Sequence, residues 1–352
     1  TATITTPQTV ISNILVLTNG LLAMNRLCIV SNDVSLLGGG TLTHSGPQTS
    51  ETNKLEITVK RNLIIATNAA IDVLGKGYAS GMGPGTGVSG SFGGSYGGRG
   101  WNSPGNCYGS ITSPTNLGSG GTDGAAGGGA ILLIVSGAIS NNGLICADAR
   151  KDIDGGLYSG GSGGAIRMIA GTLNGGGAIR ANGSLASWGG GGFCPGGGGR
   201  IALLVTNAGA NFSVYTGLIN VFGGYGASGY GGAGTIYKKI ANDRRGRGSV
   251  LVDNPGASAS GLTDVPPSPP GNITNEVEFI SFAITNSAKL RLTNDFMLGD
   301  IYLQSANSSL DLGSKILTVR SKEHLLGPGS VMNYGAIVWW PYCPKGTIYR
   351  AK

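Results

Sequence analysis

Residues 160–183 read GGSGGAIRMIAGTLNGGGAIRANG, two short apolar segments set in dense glycine. Glycine costs about 0.5–1 kcal/mol at each position of a regular element, so other contacts in the fold must offset it. The same setting recurs as GGAI, GGAI, GGRI and AGTI, in which the isoleucines are Ile131, Ile166, Ile201 and Ile236, each 35 residues after the last. Four copies without drift in their spacing indicate structural repeats.

The repeat favours one architecture. Helical repeats need amphipathic helices, which glycine would interrupt here. Propeller blades need four antiparallel strands with sequence motifs that this chain lacks. Short strands stacked about 4.8 Å apart, two or three in each repeat, match a parallel β-helix. We therefore predict an all-β fold, a right-handed parallel β-helix (solenoid) with glycine-rich loops, in which the four isoleucines form a core ladder.

The predicted strands are apolar on both faces. Residues that alternate with the ladder positions are also mostly apolar, and Arg167 is the main exception. Strands of this kind are usually covered on both faces. We expect either the glycine-rich loops or a partner to cover the outer face.

We expect a single solenoid over residues 1–352. Its predicted parts are N-terminal coils (1–74), a glycine-rich loop insertion (75–129), the 35-residue repeats (130–240), a basic and Pro-rich excursion (241–271), and C-terminal coils with an aromatic end (272–352).

Composition favours an exported protein. Charged residues make up 12% of the chain, which contains 67 glycines and carries a formal net charge of +7. The first residue is not Met, which indicates a removed leader or a fragment, and no apolar run reaches the ~18–20 residues that span a bilayer. The five cysteines include no C-x-x-C pair. Cys107 and Cys194, both in glycine-rich loops, are the candidate disulfide.

The sequence offers little for catalysis. The acids of the repeats are Asp148, Asp152 and Asp154, and the last two precede Gly-Gly in a loop, where Asp is a turn former. Glycoside hydrolysis needs paired carboxyl groups, and no such pair is evident on stacked strands. His44 and His324 are interpreted as ordinary loop or surface residues. We therefore predict no enzyme activity and no cofactor or metal site.

A basic cluster lies between Lys238 and Arg247. Sites for single-stranded nucleic acid interleave aromatic and basic residues, whereas this cluster has only Tyr237 beside it. We expect no specific nucleic-acid binding.

The segments GGAIRMIAGTLNGGGAIRANG, GGGGRIALL and GYGGAGTIYKK resemble the glycine-rich repeats of large secreted bacterial proteins. Those proteins occur in the Planctomycetes–Verrucomicrobia group and some other environmental bacteria, are mostly uncharacterised, and are presumed to form β-helices at the cell surface. The resemblance covers roughly residues 55–239 well and the flanks loosely. It implies the architecture and an extracellular or cell-surface location, and it carries no catalytic motif.

The two ends of the stack carry the functional prediction. Open ends invite strand pairing, and neither end shows a helical cap in the sequence. The C-terminal aromatics could plug the stack, or one end could dock on the other end of a neighbour, including by donation of an N-terminal strand. The candidate interface residues are Thr1, Ala2, Thr3, Ile4, Thr5, Trp339, Trp340, Tyr342 and Tyr349.

These observations predict an extracellular structural protein, a self-assembling fibre or cell-surface subunit whose main partner is itself. Two alternatives stay open: a carbohydrate-binding or polysaccharide-cleaving β-helix, and an adhesin module of a longer surface protein. Cell-surface polysaccharide is accordingly a second candidate partner.

Overall fold

The structure is a computed structural model. It describes residues 2–5, 9–87, 92–150, 159–185, 194–226, 229–244, 246–255, 261–266, 276–321 and 326–339, and the backbone of 349–350. Every regular element within these ranges is a β-strand, and most strand pairs are parallel. The prediction of an all-β fold is confirmed.

The described residues before the glycine-rich insertion form ten strands: β1 (Ala2–Ile4), β2 (Thr9–Ile11), β3 (Ile14–Val16), β4 (Leu21–Met24), β5 (Cys28–Val30), β6 (Val34–Leu36), β7 (Thr41–Thr43), β8 (Leu55–Val59), β9 (Leu63–Ile65) and β10 (Ala70–Asp72). The central strands are β11 (Ala130–Asn141), β12 (Leu144–Cys146), β13 (Ala165–Asn174), β14 (Ala178–Arg180), β15 (Arg200–Val205), β16 (Leu218–Asn220), β17 (Tyr225–Gly226), β18 (Gly229–Tyr230), β19 (Thr235–Lys239) and β20 (Ser249–Asn254). The C-terminal strands are β21 (Thr263–Val265), β22 (Ser281–Asn286), β23 (Lys289–Leu292), β24 (Phe296–Leu298), β25 (Asp300–Leu303), β26 (Ser309–Asp311), β27 (Ile316–Val319), β28 (Ser330–Met332), β29 (Ala336–Trp339) and β30 (Tyr349–Arg350).

Strands from successive repeats lie side by side in long sheets. The 7-stranded sheet has the order β1-β4-β7-β10-β12-β14-β16. The 13-stranded sheet follows β2-β5-β8-β11-β13-β15-β19-β20-β22-β25, with β3, β6 and β9 beside it. Two 4-stranded sheets, β21-β23-β26-β28 and β24-β27-β29-β30, and the β17-β18 pair complete the set.

The isoleucine ladder lies in the core of the 13-stranded sheet. The register pairs Ile131 with Ile166, Ile166 with Ile201 and Ile201 with Ile236. None of the four side chains is more than 3% exposed. Identical residues at a 35-residue spacing thus meet on one face of neighbouring strands, as the spacing predicts.

Glycine segments outside the strands lead into the long strands β11, β13, β15 and β19. These glycine segments are hydrogen-bonded to one another through the backbone. The Gly163 N–H donates to the Gly197 carbonyl at 3.0 Å, and the Gly198 N–H donates to the Gly232 carbonyl at 2.9 Å. A Cβ on Gly164 would lie 1.9 Å from the carbonyl oxygen of Gly129. Glycine is therefore needed here for close approach of one backbone to the next.

The predicted loop insertion, residues 75–129, contains no strand in its described part. The strands that flank it nevertheless pair directly, β8 with β11 and β10 with β12. The insertion folds back over the start of the long strands, where Tyr96 and Leu117 pack with Ala130 and Ala165. It therefore leaves the stack continuous and covers part of its outer face.

The chain reverses direction between β19 and β20, which pair antiparallel. Ile236 of β19 belongs to the N-terminal core, whereas its neighbour Tyr237 belongs to a second core with Val250 and Phe282. Because adjacent residues of a strand point to opposite faces, the two cores lie on opposite sides of one shared sheet.

This arrangement differs from the predicted run of similar coils. The excursion predicted at 241–271 contains β20 and β21, and the strands after it build the second core rather than lengthening the first. The hairpin uses positive φ angles at Gly246 (78°) and Gly248 (135°), which glycine adopts without steric cost.

Candidate interaction sites

The N-terminal layer, which we define as β1, β2 and β3, has an open edge. Within the part of the chain that the structure describes, each of the three strands pairs on one side only, with β4, β5 and β6 respectively. Their carbonyl groups at Ile4, Ile11 and Val16 accept hydrogen bonds from Asn25, Ser31 and Leu37 at 3.1, 2.9 and 2.9 Å.

Alternate residues of a strand in a parallel sheet direct their N–H and C=O groups to opposite neighbours. The backbone groups of Ile4, Ile11 and Val16 bond to the neighbouring strands β4, β5 and β6. Those of Thr3, Val10 and Leu15 therefore point to the open edge. Apolar side chains accompany these groups: Val10 is 64% exposed and Leu15 60%. The N-terminal layer thus offers unpaired backbone groups next to exposed apolar surface.

The structure places the predicted N-terminal interface residues in this layer. Ala2, Thr3 and Thr5 are exposed and Ile4 is half-buried, whereas Thr1 lies outside the described residues. Strand β1 pairs with β4 of its own chain. In this arrangement the N-terminal strand belongs to a sheet of its own chain.

Trp339 is not an interface residue, which corrects the prediction. It lies in β29, where Ile337 and Trp339 both face the second core, and it is 2% exposed. An aromatic side chain at an inward position of an alternating strand packs in the core, as Trp339 does here. Trp340 and Tyr342 lie outside the described residues. Only the backbone of Tyr349 is described, in β30, which pairs antiparallel with β29.

The predicted disulfide is wrong, because Cys107 and Cys194 are both free thiols. Cys107 is held instead against Asp264, whose N–H lies 3.4 Å from Sγ and whose Oδ2 accepts from the Cys107 N–H at 3.2 Å. Burial, together with the Asp264 charge, raises the pKa of the Cys107 thiol to about 12. It is therefore protonated, and unreactive, at neutral pH.

A buried ion cluster joins the insertion to the second core. Asp264 has a fully buried side chain, and its two carboxylate oxygens contact Arg99 Nε at 2.6 Å and Arg291 Nε at 2.8 Å. Nearby, Glu276 accepts from the N–H of Ile111 at 2.8 Å. This cluster could not be predicted from the sequence, because its members are far apart in the chain.

Of the residues considered for catalysis, the structure describes Asp148 and His44. Asp148 is buried and lies 2.8 Å from Arg180 Nε, while Asp152, Asp154 and His324 lie outside the described residues. His44 lies in a loop directly after β7, which agrees with its interpretation as a loop or surface residue, and it is fully buried there. Within the described ranges, no three His, Cys, Asp or Glu residues are grouped as metal ligands.

The outer face of the 13-stranded sheet is covered unevenly. Ala202 is completely buried and packs in the same cluster as Ile111 of the insertion. Ile134, on the same face, is 43% exposed. The glycine-rich insertion therefore covers one part of this face and leaves another part open.

No family model, curated protein or solved structure matches this chain. Among the residues that the structure describes, no helix is long and apolar enough to cross a membrane.

Proposed function

We propose that the chain is a right-handed parallel β-helix that serves as an extracellular structural protein and joins copies of itself head-to-tail. The parallel, in-register pairing of successive repeats supports a β-helix. Parallel strands with crossover connections are right-handed in about 98% of cases, which supports the handedness. The low charge content and the resemblance to secreted glycine-rich proteins support export.

The open edge of the N-terminal layer carries the proposal. Its backbone groups at Thr3, Val10 and Leu15 have no partner strand among the described residues, and an unpaired edge is a template for another chain. Exposed apolar side chains at Val10 and Leu15 add surface that a neighbour would remove from water.

The other end of the molecule differs from this edge. There β30 pairs antiparallel with β29, and the Leu326 carbonyl accepts from the Leu303 N–H of β25 at 2.7 Å. A contact between unlike ends is heterologous, and it extends into a filament when its rotation does not close a ring. We propose that a second copy of the chain adds its edge to the edge of the N-terminal layer, and not that β1 is donated to that copy.

The test compares Leu15→Pro with Leu15→Ala by electron microscopy and light scattering over a range of concentrations. Proline removes the N–H that Leu15 presents to the open edge and leaves the inward bonds of β3 in place, whereas alanine keeps that N–H. We expect filaments from the unmodified chain, fewer from Leu15→Ala and none from Leu15→Pro, with unchanged circular dichroism for all three. A chain that stays monomeric at every concentration, or a Leu15→Pro variant that assembles like Leu15→Ala, would overturn the proposal.

A further inference from the structure

A cleft lies on the outer face of the 7-stranded sheet, where β12, β14 and β16 end. We call it the Arg180 cleft; its lining includes Asp148, Arg180, Asn182, Phe222 and Tyr225, and its volume is about 250 Å³. Pockets for drug-sized ligands measure ~300–1,000 Å³. The Arg180 cleft therefore has room for about one ring with its substituents, and it is open to solvent along one side.

The acid in this cleft is already engaged by the protein. Asp148 Oδ1 accepts from the Asn182 N–H at 2.7 Å, and Oδ2 lies 2.8 Å from Arg180 Nε. The Arg180 Nε–H is not aligned for a hydrogen bond in this ion pair. Asp148 thus holds the guanidinium in place by charge, which fixes the direction of its outer nitrogens.

The amide in the cleft is engaged as well. Asn182 Oδ1 accepts from the Phe222 N–H at 2.7 Å, and Asn182 Nδ2 donates to Asn220 Oδ1 at 3.0 Å. The Arg180 side chain, by contrast, is 34% exposed, and besides Asp148 it contacts the Cys146 thiol. The cleft consequently presents one strong donor group, and that group is cationic.

An aromatic wall stands beside this donor. Tyr225 is 53% exposed, and its ring is held against Tyr230 with 5.0 Å between the ring centroids. Phe222 lines the same cleft and is half-buried. A ring fixed in this way offers a flat apolar face to a ligand without losing much freedom on binding.

We propose that the Arg180 cleft binds a sugar acid, as the free monosaccharide or as a residue of an anionic polysaccharide. A planar carboxylate suits the paired N–H groups of a guanidinium, and the C–H face of a sugar ring suits the exposed face of Tyr225. Arg150, exposed one residue after the cleft-lining Ala149, and the net charge of +7 favour an anionic ligand. This site is separate from the self-assembly proposed above.

The experiment measures binding by titration calorimetry in the Leu15→Pro background, so that the result does not depend on assembly. The ligands are galacturonic acid, polygalacturonate, neutral dextran and polyglutamate, an anionic polymer without sugar rings. We expect polygalacturonate to bind and dextran not to bind, with polyglutamate much weaker. Binding of galacturonic acid as well would assign the site to free sugar acids, and binding of the polymer alone would assign it to a polysaccharide.

Two cleft variants and a matched control separate recognition from general charge attraction. Arg180→Gln should weaken binding about 10- to 100-fold, the usual loss for a hydrogen bond to a charged group, and the exposed Tyr225→Ala should weaken it without disturbing the fold. Arg167→Gln removes a half-buried arginine of the same repeat from a different sheet face and should leave binding unchanged. Equal losses in Arg180→Gln and Arg167→Gln, no loss in Tyr225→Ala, or equal binding of polyglutamate would overturn the proposal.

Discussion

His44 links two segments that are far apart in the chain. Its Nε2 accepts from the N–H of Ala130, the first residue of β11, at 3.2 Å, and its Nδ1 lies 2.9 Å from the Ser45 carbonyl oxygen. The acceptor role of Nε2 assigns the proton to Nδ1, which donates to Ser45. The imidazole is therefore neutral in the folded protein. Burial, with a smaller effect of the Lys76 charge, lowers its pKa to about 4.

Stability should fall in acid because of this residue. An unfolded histidine titrates near pH 6.5, so between pH 6.5 and pH 4 the unfolded state binds more protons than the folded state. The contribution of His44 to the free energy of unfolding is complete above pH 6.5, and about 3 kcal/mol of it is lost as the pH falls to 4.

Urea unfolding at several pH values measures this effect against His44→Gln. We expect the variant to be less stable at pH 7.5 and to lose less stability in acid, so that the difference between the two chains narrows towards pH 4. A constant difference across this range would contradict the assigned role of His44. Carboxyl groups also titrate in this range but affect both proteins alike.

At the scale of the element, the glycine segments form a layer whose backbone packing is as specific as that of the strands. The glycines on the strand side of this layer touch carbonyl groups of neighbouring segments, as Gly164 does with Gly129. Gly176, in a turn of the same repeat, has more room. An added Cβ on Gly176 would have Thr216 Oγ1 as its nearest neighbour, at 3.5 Å.

Gly164→Ala and Gly176→Ala form a matched pair within one repeat. The first places a methyl group inside a backbone contact, and we expect a loss of about 3 kcal/mol or more in the free energy of unfolding. The second adds a methyl group in ordinary contact and restricts the unfolded chain, so we expect no loss or a gain of about 0.4–1 kcal/mol. Thermal and urea unfolding measure both, and equal effects would show that the layer tolerates a Cβ.

The elements that could be predicted from sequence are those with a fixed spacing. The isoleucine ladder and the short strands that follow it depend on a 35-residue period and on alternation, and both are properties of the chain itself. The reversal at β19 and β20 could not be predicted in this way. Thr235, Ile236 and Tyr237 are all buried, so their alternation does not indicate which face meets which core.

The candidate sites were predicted only in part. The N-terminal edge was expected from its extended sequence, and the structure places Ala2–Ile4 in an edge strand. Trp339 was misassigned because aromatic content near the C-terminus does not distinguish a core position from an exposed one. The Arg180 cleft was not expected, since Arg180 and Tyr225 meet only when separate repeats are stacked.

On the scale of the whole molecule, the insertion connects the 13-stranded sheet that borders the first core to the second core. It packs on the outer face of β11 and β13 through Tyr96 and Leu117 and contacts the second core through Arg99 and Ile111. Asp264 stands at the second of these contacts with a completely buried carboxylate between two arginines. Removing one charge from a buried cluster leaves the others without compensation, which is strongly destabilising.

We expect Asp264→Asn to lower the free energy of unfolding by about 3 kcal/mol and to make the insertion sensitive to proteases under native conditions. Asp123→Asn is the control, because Asp123 is an exposed aspartate of the same insertion. Urea unfolding and limited proteolysis measure the two effects. If both variants behaved like the unmodified chain, the ion cluster would not hold the insertion in place.

The register of the isoleucine ladder bears on how such a molecule can change in size. Each 35-residue unit meets equivalent residues in the unit before it and in the unit after it. Duplication of one unit would therefore insert a layer about 4.8 Å thick whose strand contacts repeat existing ones, and the insertion would then have to span one more layer to reach the second core. The number of stacked layers in this sheet can thus evolve in equal steps by copy number.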